Sequence, residues 1–213
     1  MNFKKYILPV LTIIFIAAID QFSKYLIIRN VPLHYEIPVI GDAVVITHIH
    51  NSGSAWGILS GKIALLLIIT FIVTIGLFYI YHNIVNEDKY RILRCGIVAI
   101  LGGALGNMID RIRFGYVTDF IYFKIINFPV FNVADIFVTV TIFVLLFVFI
   151  FVYKSEDFDV IMGDKKAVKA SKEFDENEDS EENEDSEGSE DSEEDGDSVE
   201  DENSKEDEST DDF

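Results

Sequence analysis

The 213-residue chain carries 36 acidic and 17 basic side chains, a formal net charge of −19, yet half of its residues are hydrophobic. Residues 156–213 hold 28 of the acids and 5 of the bases, a net of −23, while residues 1–155 hold the other 8 acids and 12 bases, a net of +4. That split excludes a uniformly acidic soluble protein and predicts an apolar, slightly basic body joined to a polyanion; the single cysteine, Cys95, excludes an intramolecular disulfide.

A helix that crosses the hydrocarbon core needs about 20 mostly apolar residues. Four segments meet or approach this, at about 6–28, 62–82, 91–110 and 133–153. The first follows Lys4 and Lys5 and stays apolar until Asp20, Gln21, Ser23 and Lys24. It has the start of a signal peptide, but no small-residue cleavage site follows and three further spans do, so it reads as a retained helix. Next, Ile37–Ile40 and Ala43–Ile49 flank Gly41-Asp42, a pair suited to a tight turn, and predict a small β-hairpin on the outer membrane surface. Trp56, beside Gly57, has the position of an interfacial anchor. The second and fourth spans have uncharged centres. The third is the shortest and is rich in glycine, with Gly102 and Gly106 one helical turn apart, where a neighbouring helix can approach closely. Together these elements predict an all-α membrane protein: a four-helix transmembrane domain over residues 1–155 with a small extracytoplasmic β-hairpin or cradle. Residues 156–213 form an acidic tail with too little apolar surface to offset its ordering entropy, expected to be disordered and solvating.

Orientation follows from lysine and arginine near the span ends. Lys4, Lys5, Lys89, Arg91, Arg94, Lys154, Lys165 and Lys166 lie at one set of ends, against Arg29, Arg111, Arg113 and Lys124 at the other. The bias places both termini in the cytoplasm and residues 29–60 and 112–131 outside.

Ionisable groups at membrane depth are costly and default to functional hypotheses. Asp20 and Lys24, one turn apart, can neutralise each other, and a structural ion pair is the expected outcome. Asp110 and Arg111 close the third span, where a terminal charge can snorkel; Asn107, one turn earlier, needs partners. Asp119, in Val117-Thr118-Asp119-Phe120-Ile121, has an apolar setting and no cheap explanation. Asp135 enters the fourth span, where a helix N-terminus alone favours a carboxylate. If the connection folds back compactly the two meet, and two crowded carboxylates share a proton, giving one base and one acid for amide hydrolysis by water. His48 and His50 share a strand but lack a third ligand for zinc, and Cys95 is expected to be buried packing. No nucleophile elbow, phosphate loop or dinucleotide fingerprint is present.

At these residues the sequence resembles the lipoprotein signal peptidases (signal peptidase II), membrane aspartyl proteases of bacteria. Four blocks carry the likeness: Asp20-Gln21-Phe22-Ser23-Lys24; Asn51-Ser52-Gly53-Ser54-Ala55-Trp56-Gly57; Gly102 through Arg111, continued by Gly115 through Ile121; and Phe131-Asn132-Val133-Ala134-Asp135. The resemblance implies that Asp119 and Asp135 are a catalytic dyad, and that Asn51, Gly53, Asn107, Arg111 and Asn132 bind or orient the substrate and the dyad. It implies that Asp20 and Lys24 are structural, with no metal and no cofactor. The implied substrate is a bacterial prolipoprotein carrying a diacylglyceryl-Cys, cut just before that Cys by a monomeric, multi-pass protein of the cytoplasmic membrane whose site lies near the outer face. Membrane lipids are the other implied partner, and nucleic acid is not one. Thr118 departs from the family, which more often has an aliphatic residue there. Two other functions remain open on the residues alone. One is a proton-relay transporter, which needs its carboxylates near mid-membrane; the other is a scaffold working through its acidic tail.

Overall fold

The computed structural model describes residues 4–53, 59–85 and 87–162; Trp56 and the acidic segment beyond residue 162 lie outside them. Among the described residues four helices are long and apolar enough to cross a membrane: α1 (Lys4–Asn30), α2 (Ile63–Asn83), α3 (Arg91–Phe114) and α4 (Val133–Phe151). Each matches a predicted span. Large apolar side chains such as Leu8, Phe71 and Phe147 face outward, as they must when the surrounding medium is lipid. The chain is a multi-pass membrane protein.

The glycine-rich helix is the centre of the bundle, packing against α1, α2 and α4. A Cβ at Gly102 would stand 2.8 Å from the Ile16 Cβ of α1, and one at Gly106 would stand 2.5 Å from Asp20 Oδ2. At Gly103 it would meet the Ala134 carbonyl oxygen of α4 at 2.7 Å. The close approach expected from Gly102 and Gly106 therefore occurs, and its partner is α1. Helix α3 also runs past residue 110 to Phe114 and stops at Gly115, whose φ of 75° closes it with an N–H to the Arg111 carbonyl at 3.1 Å.

Beyond one end of the bundle lies an antiparallel sheet in the order β1 (Ile37–Ile40), β2 (Val44–Asn51), β3 (Val117–Phe123). The hairpin β1–β2 is the one that Gly41-Asp42 foretells. Strand β3 is unforeseen, because Val117, Thr118, Asp119 and Phe120 are all buried and the alternation that betrays a half-exposed strand is missing. A register shift between Ile46 and Ile49 buries Thr47 and His48 in succession, and the rings of His48 and His50 stand 5.1 Å apart.

At the opposite end the folded body runs past the charge boundary at residue 155. A short helix, α5 (Ser155–Ile161), buries Val160 and Ile161 against Tyr90, Leu93 and Tyr153. Its Asp157, 3% exposed, accepts from the Tyr90 hydroxyl and the Lys154 backbone N–H, both at 2.7 Å, and pairs with Lys89. The few apolar residues at the start of the acidic segment are thus enough to fasten about two more helical turns. Cys95 is exposed on α3 rather than buried, since the packed face of that helix is taken by Leu93, Gly96 and Ile97.

Candidate active site

Two carboxylate clusters occupy the sheet end of the bundle, one built on α1 and α3, the other on β3 and α4. In the first, Lys24 Nζ lies 2.8 Å from Asp20 Oδ2, 3.1 Å from Asp110 Oδ2 and 2.9 Å from Asn107 Oδ1, which uses all three of its protons. Asp20 and Lys24 form the expected ion pair. Asp110 does not snorkel: it is 2% exposed, pairs with Lys24, and accepts from Gln21 Nε2 at 2.8 Å and the Thr118 N–H at 3.1 Å. Gln21 and Asp110 are the members that sequence reasoning missed. Their position next to Asp20, Lys24 and Gly106 on facing helices was the available signal, but helix pairing had first to be known. The free Oδ1 of Asp20 accepts the Ala134 N–H of α4 at 2.9 Å, so this cluster ties three helices together.

The second cluster forms because the chain between β3 and α4 doubles back. Phe131 bridges Ile121, with N–H to carbonyl distances of 3.0 and 2.8 Å in the two directions, and this returns Asn132 to Asp119. Asn132 is the N-cap of α4: its Oδ1 accepts the Asp135 N–H, and Asp135 Oδ2 accepts the Asn132 N–H, both at 3.1 Å, a capping box. The same Asn132 Nδ2 donates to Asp119 Oδ1 at 2.6 Å and to Asn107 Oδ1 at 3.1 Å. Asn107 in turn donates from Nδ2 to Asp135 Oδ1 at 2.8 Å. With Asn107 Oδ1 held by Lys24, the amide can present only its NH₂ to Asp135, and the orientation of both asparagines follows from their partners.

Asp119 is completed by Asn51, whose Nδ2 donates to Oδ2 at 2.8 Å and whose Oδ1 accepts the Gly53 N–H at 2.9 Å. Arg111 donates from a terminal nitrogen to the Gly53 carbonyl at 3.2 Å, and its buried Nε has no hydrogen-bond partner among the described residues. The structure therefore brings together Asn51, Gly53, Asn107, Arg111, Asp119, Asn132 and Asp135. Asn51, Asn107, Arg111, Asp119 and Asp135 line a single cavity of 540 Å³, walled otherwise by Thr139 and by apolar groups including Phe128, Phe131, Ile136 and Val140.

The electrostatics of the two clusters differ in kind. Asp119 is 2% exposed. Burial, then the neighbouring Asp135 carboxylate, pushes its carboxyl up from 3.8 to about 7, against the pull of the Asn51 and Asn132 amides. A carboxyl poised there can hold or release a proton near neutral pH, which is the property required of a general acid or base. Depth is also informative: Asp119 lies on the sheet, beyond the spanning helices, and Asp135 in the first turn of α4. A mid-membrane proton relay would need neither place. No group of three or more metal-binding side chains occurs among the described residues.

Known proteins agree with this picture. The family model for signal peptidase (SPase) II matches residues 12–151. The chain is 42% identical over 120 residues to a lipoprotein signal peptidase of Moorella thermoacetica, covering 56% of this chain and 77% of the relative. It is 39% identical over 135 residues to the lipoprotein signal peptidase of Clostridioides difficile, covering 62% and 88%. A solved structure described as a bacterial membrane enzyme superposes with a TM-score of 0.60 at 35% identity, covering 67% of this chain and 87% of its own. From four apolar helices, a small sheet, and a match that spans every block of the candidate site, the chain belongs to the signal peptidase II family and is a membrane peptidase.

Proposed function

We propose that the chain removes the signal peptide from bacterial prolipoproteins whose Cys carries diacylglycerol, cleaving just before that Cys with Asp119 and Asp135 as its dyad. One observation carries the reading: two aspartates line one largely apolar cavity while bonded, apart from one backbone N–H, only to neutral asparagine amides. The names of the relatives supply the substrate class.

The chemistry follows from the positions. Asp119, raised to about 7, retains the proton that the dyad shares at neutral pH. Asp135, at the N-terminus of α4 where the helix dipole favours an anion, takes a proton from a water held between the two carboxyls. The resulting hydroxide attacks the scissile carbonyl carbon. Asp119 protonates the carbonyl oxygen to give a tetrahedral diol. As the C–N bond breaks, the proton gained by Asp135 passes to the amide nitrogen and a diol hydroxyl returns its proton to Asp119, so the dyad is restored and no covalent intermediate is needed. Arg111 lines the cavity, and its guanidinium offers donors to a substrate backbone carbonyl. Asn51, Asn107 and Asn132 keep the carboxyls in register, and Gly53 supplies the carbonyl that steadies Arg111. The cavity wall at Ile136 and Val140 belongs to residues exposed on the lipid-facing side of α4. A lipid-anchored cysteine arriving within the bilayer therefore reaches the dyad without leaving the apolar phase. With both termini cytoplasmic, as the lysine and arginine distribution implies, this site faces outward.

The test is a gel-shift cleavage assay on a diacylglyceryl-modified prolipoprotein in detergent. Wild type should release the signal peptide, and Asp119→Asn and Asp135→Asn should not, although each remains inserted and folded. Cleavage that survives both substitutions would dispose of the dyad.

A further inference from the structure

A second cavity, of 450 Å³, shares Asn51, Asp119 and the Phe128-Pro129-Val130 segment with the first. The two therefore adjoin at Asp119. They differ in what else they touch. The first is walled by α4, including Ile136 and Val140, which are 40% and 56% exposed on the membrane side. Among the described residues the second is walled by β2, β3 and the loops beside them, and by no spanning helix. Its polar groups are Ser52, Ser60, His50, Tyr122 and Asn127, and its size falls within the range of about 300–1,000 Å³ usual for ligand sites. Among the described residues Asp119 is its only carboxylate and no lysine or arginine lines it. Burial, then His48 and His34, holds His50 below the ordinary histidine range, so at neutral pH this wall is uncharged.

A prolipoprotein has a matching asymmetry. Its signal peptide and its acyl chains are both apolar and belong on the membrane side of the scissile bond. The mature sequence beyond the modified Cys is ordinary polar chain heading away from the membrane. A backbone drawn across Asp119 therefore leaves the apolar cavity and enters the polar one. Resting on the function proposed above, we propose that this polar cavity is the subsite for the residues immediately C-terminal to the lipid-modified Cys, and that it selects uncharged, hydrogen-bonding side chains there. An acidic side chain would lose water there with no cation to compensate, and a lysine would lose water for a single partial counter-charge. Ser52 and Ser60, whose hydroxyl oxygens lie 3.0 Å apart, and the Tyr122–Asn127 pair, at 2.7 Å, supply neutral donors and acceptors instead.

The experiment uses the full chain and diacylglyceryl-modified prolipoproteins that carry Ser, Glu or Lys immediately after the modified Cys. Wild type should cleave the Ser substrate fastest. Ser60, exposed on the cavity rim, is changed to Lys and to Glu. Ser60→Lys should raise kcat/KM for the Glu substrate relative to the Lys substrate about tenfold, and Ser60→Glu should reverse the preference by a similar factor. The same charges placed before the Cys should leave these ratios unmoved. His50→Lys repeats the test from the opposite wall should Ser60→Lys not fold. Ratios unchanged in the folded variants while the Ser substrate is still cut, or ratios equally sensitive to charge before the Cys, overturn the subsite and spare the peptidase reading. Failure of wild type to cut any of the three substrates overturns the peptidase reading and the subsite with it.

Discussion

Asp20 with Asp110, and Asp119 with Asp135, are two carboxylate pairs at the same end of the same bundle, made of the same residue type; all but the half-buried Asp135 are buried. The first pair shares Lys24, within 2.8 and 3.1 Å of its oxygens. The second has Asn51, Asn107 and Asn132 in the corresponding places. Both pairs have their hydrogen bonds, so the difference is charge alone. A lysine neutralises a buried carboxylate and turns it into a tie between helices. An amide satisfies the oxygen without neutralising it, and the proton stays available for chemistry. Asn107 touches both clusters, accepting from Lys24 and donating to Asp135, so the lysine-bound pair also sets the geometry of the proposed dyad.

The comparison breaks first at the dyad. Asp119→Asn or Asp135→Asn should lower kcat by at least the 10²- to 10⁴-fold typical of a lost acid–base group, about the largest effect any single change here produces, while the protein stays folded. Lys24→Met should do the reverse and act on stability, costing about 3–5 kcal/mol because two buried carboxylates lose their cation; thermal unfolding in detergent reads this directly. A Lys24→Met protein as stable as wild type would mean that the first cluster is not held by its charge.

A pH series sharpens the contrast. The Asp119 carboxyl is raised in the folded state, so the stability it contributes is fully present below its ordinary value of 3.8 and is lost as pH rises through about 7. Wild type should therefore lose stability relative to Asp119→Asn across that interval, and cleavage should decline above about pH 7 as the dyad loses its shared proton.

Asp157 tests the same rule at the far end of the bundle. Burial raises its carboxyl, but Lys89, Tyr90 and the Lys154 N–H outweigh this and hold it below the ordinary range. Asp157→Ala should free α5 at a cost of about 1–3 kcal/mol, since Tyr90 loses its acceptor, without altering cleavage. The smallest change expected is at Thr118, fully buried with a hydroxyl that has no hydrogen-bond partner among the described residues. Thr118→Val should stabilise by about 1 kcal/mol, raising the thermal midpoint at constant activity. That would account for the aliphatic residue more usual at this position.

The sequence by itself determined the four spans, because lipid demands long apolar runs and nothing in the rest of the chain can relax that demand. It determined the hairpin through Gly41-Asp42 and the Asp20–Lys24 pair through its i, i+4 spacing, and it singled out the candidate site residues through four blocks in family order. Tertiary structure decided which carboxylates meet. Strand β3 carries no alternation because both of its faces are covered, and its neighbours come from distant parts of the chain. Asp110 reads as a helix-end charge until α1 brings Lys24 against it across Gly106. Asp119 reaches Asn132 only because Phe131 bridges back to Ile121. Local pattern encodes how a segment meets its solvent; which polar groups neutralise one another depends on contacts between segments, and these exist only once the helices have packed.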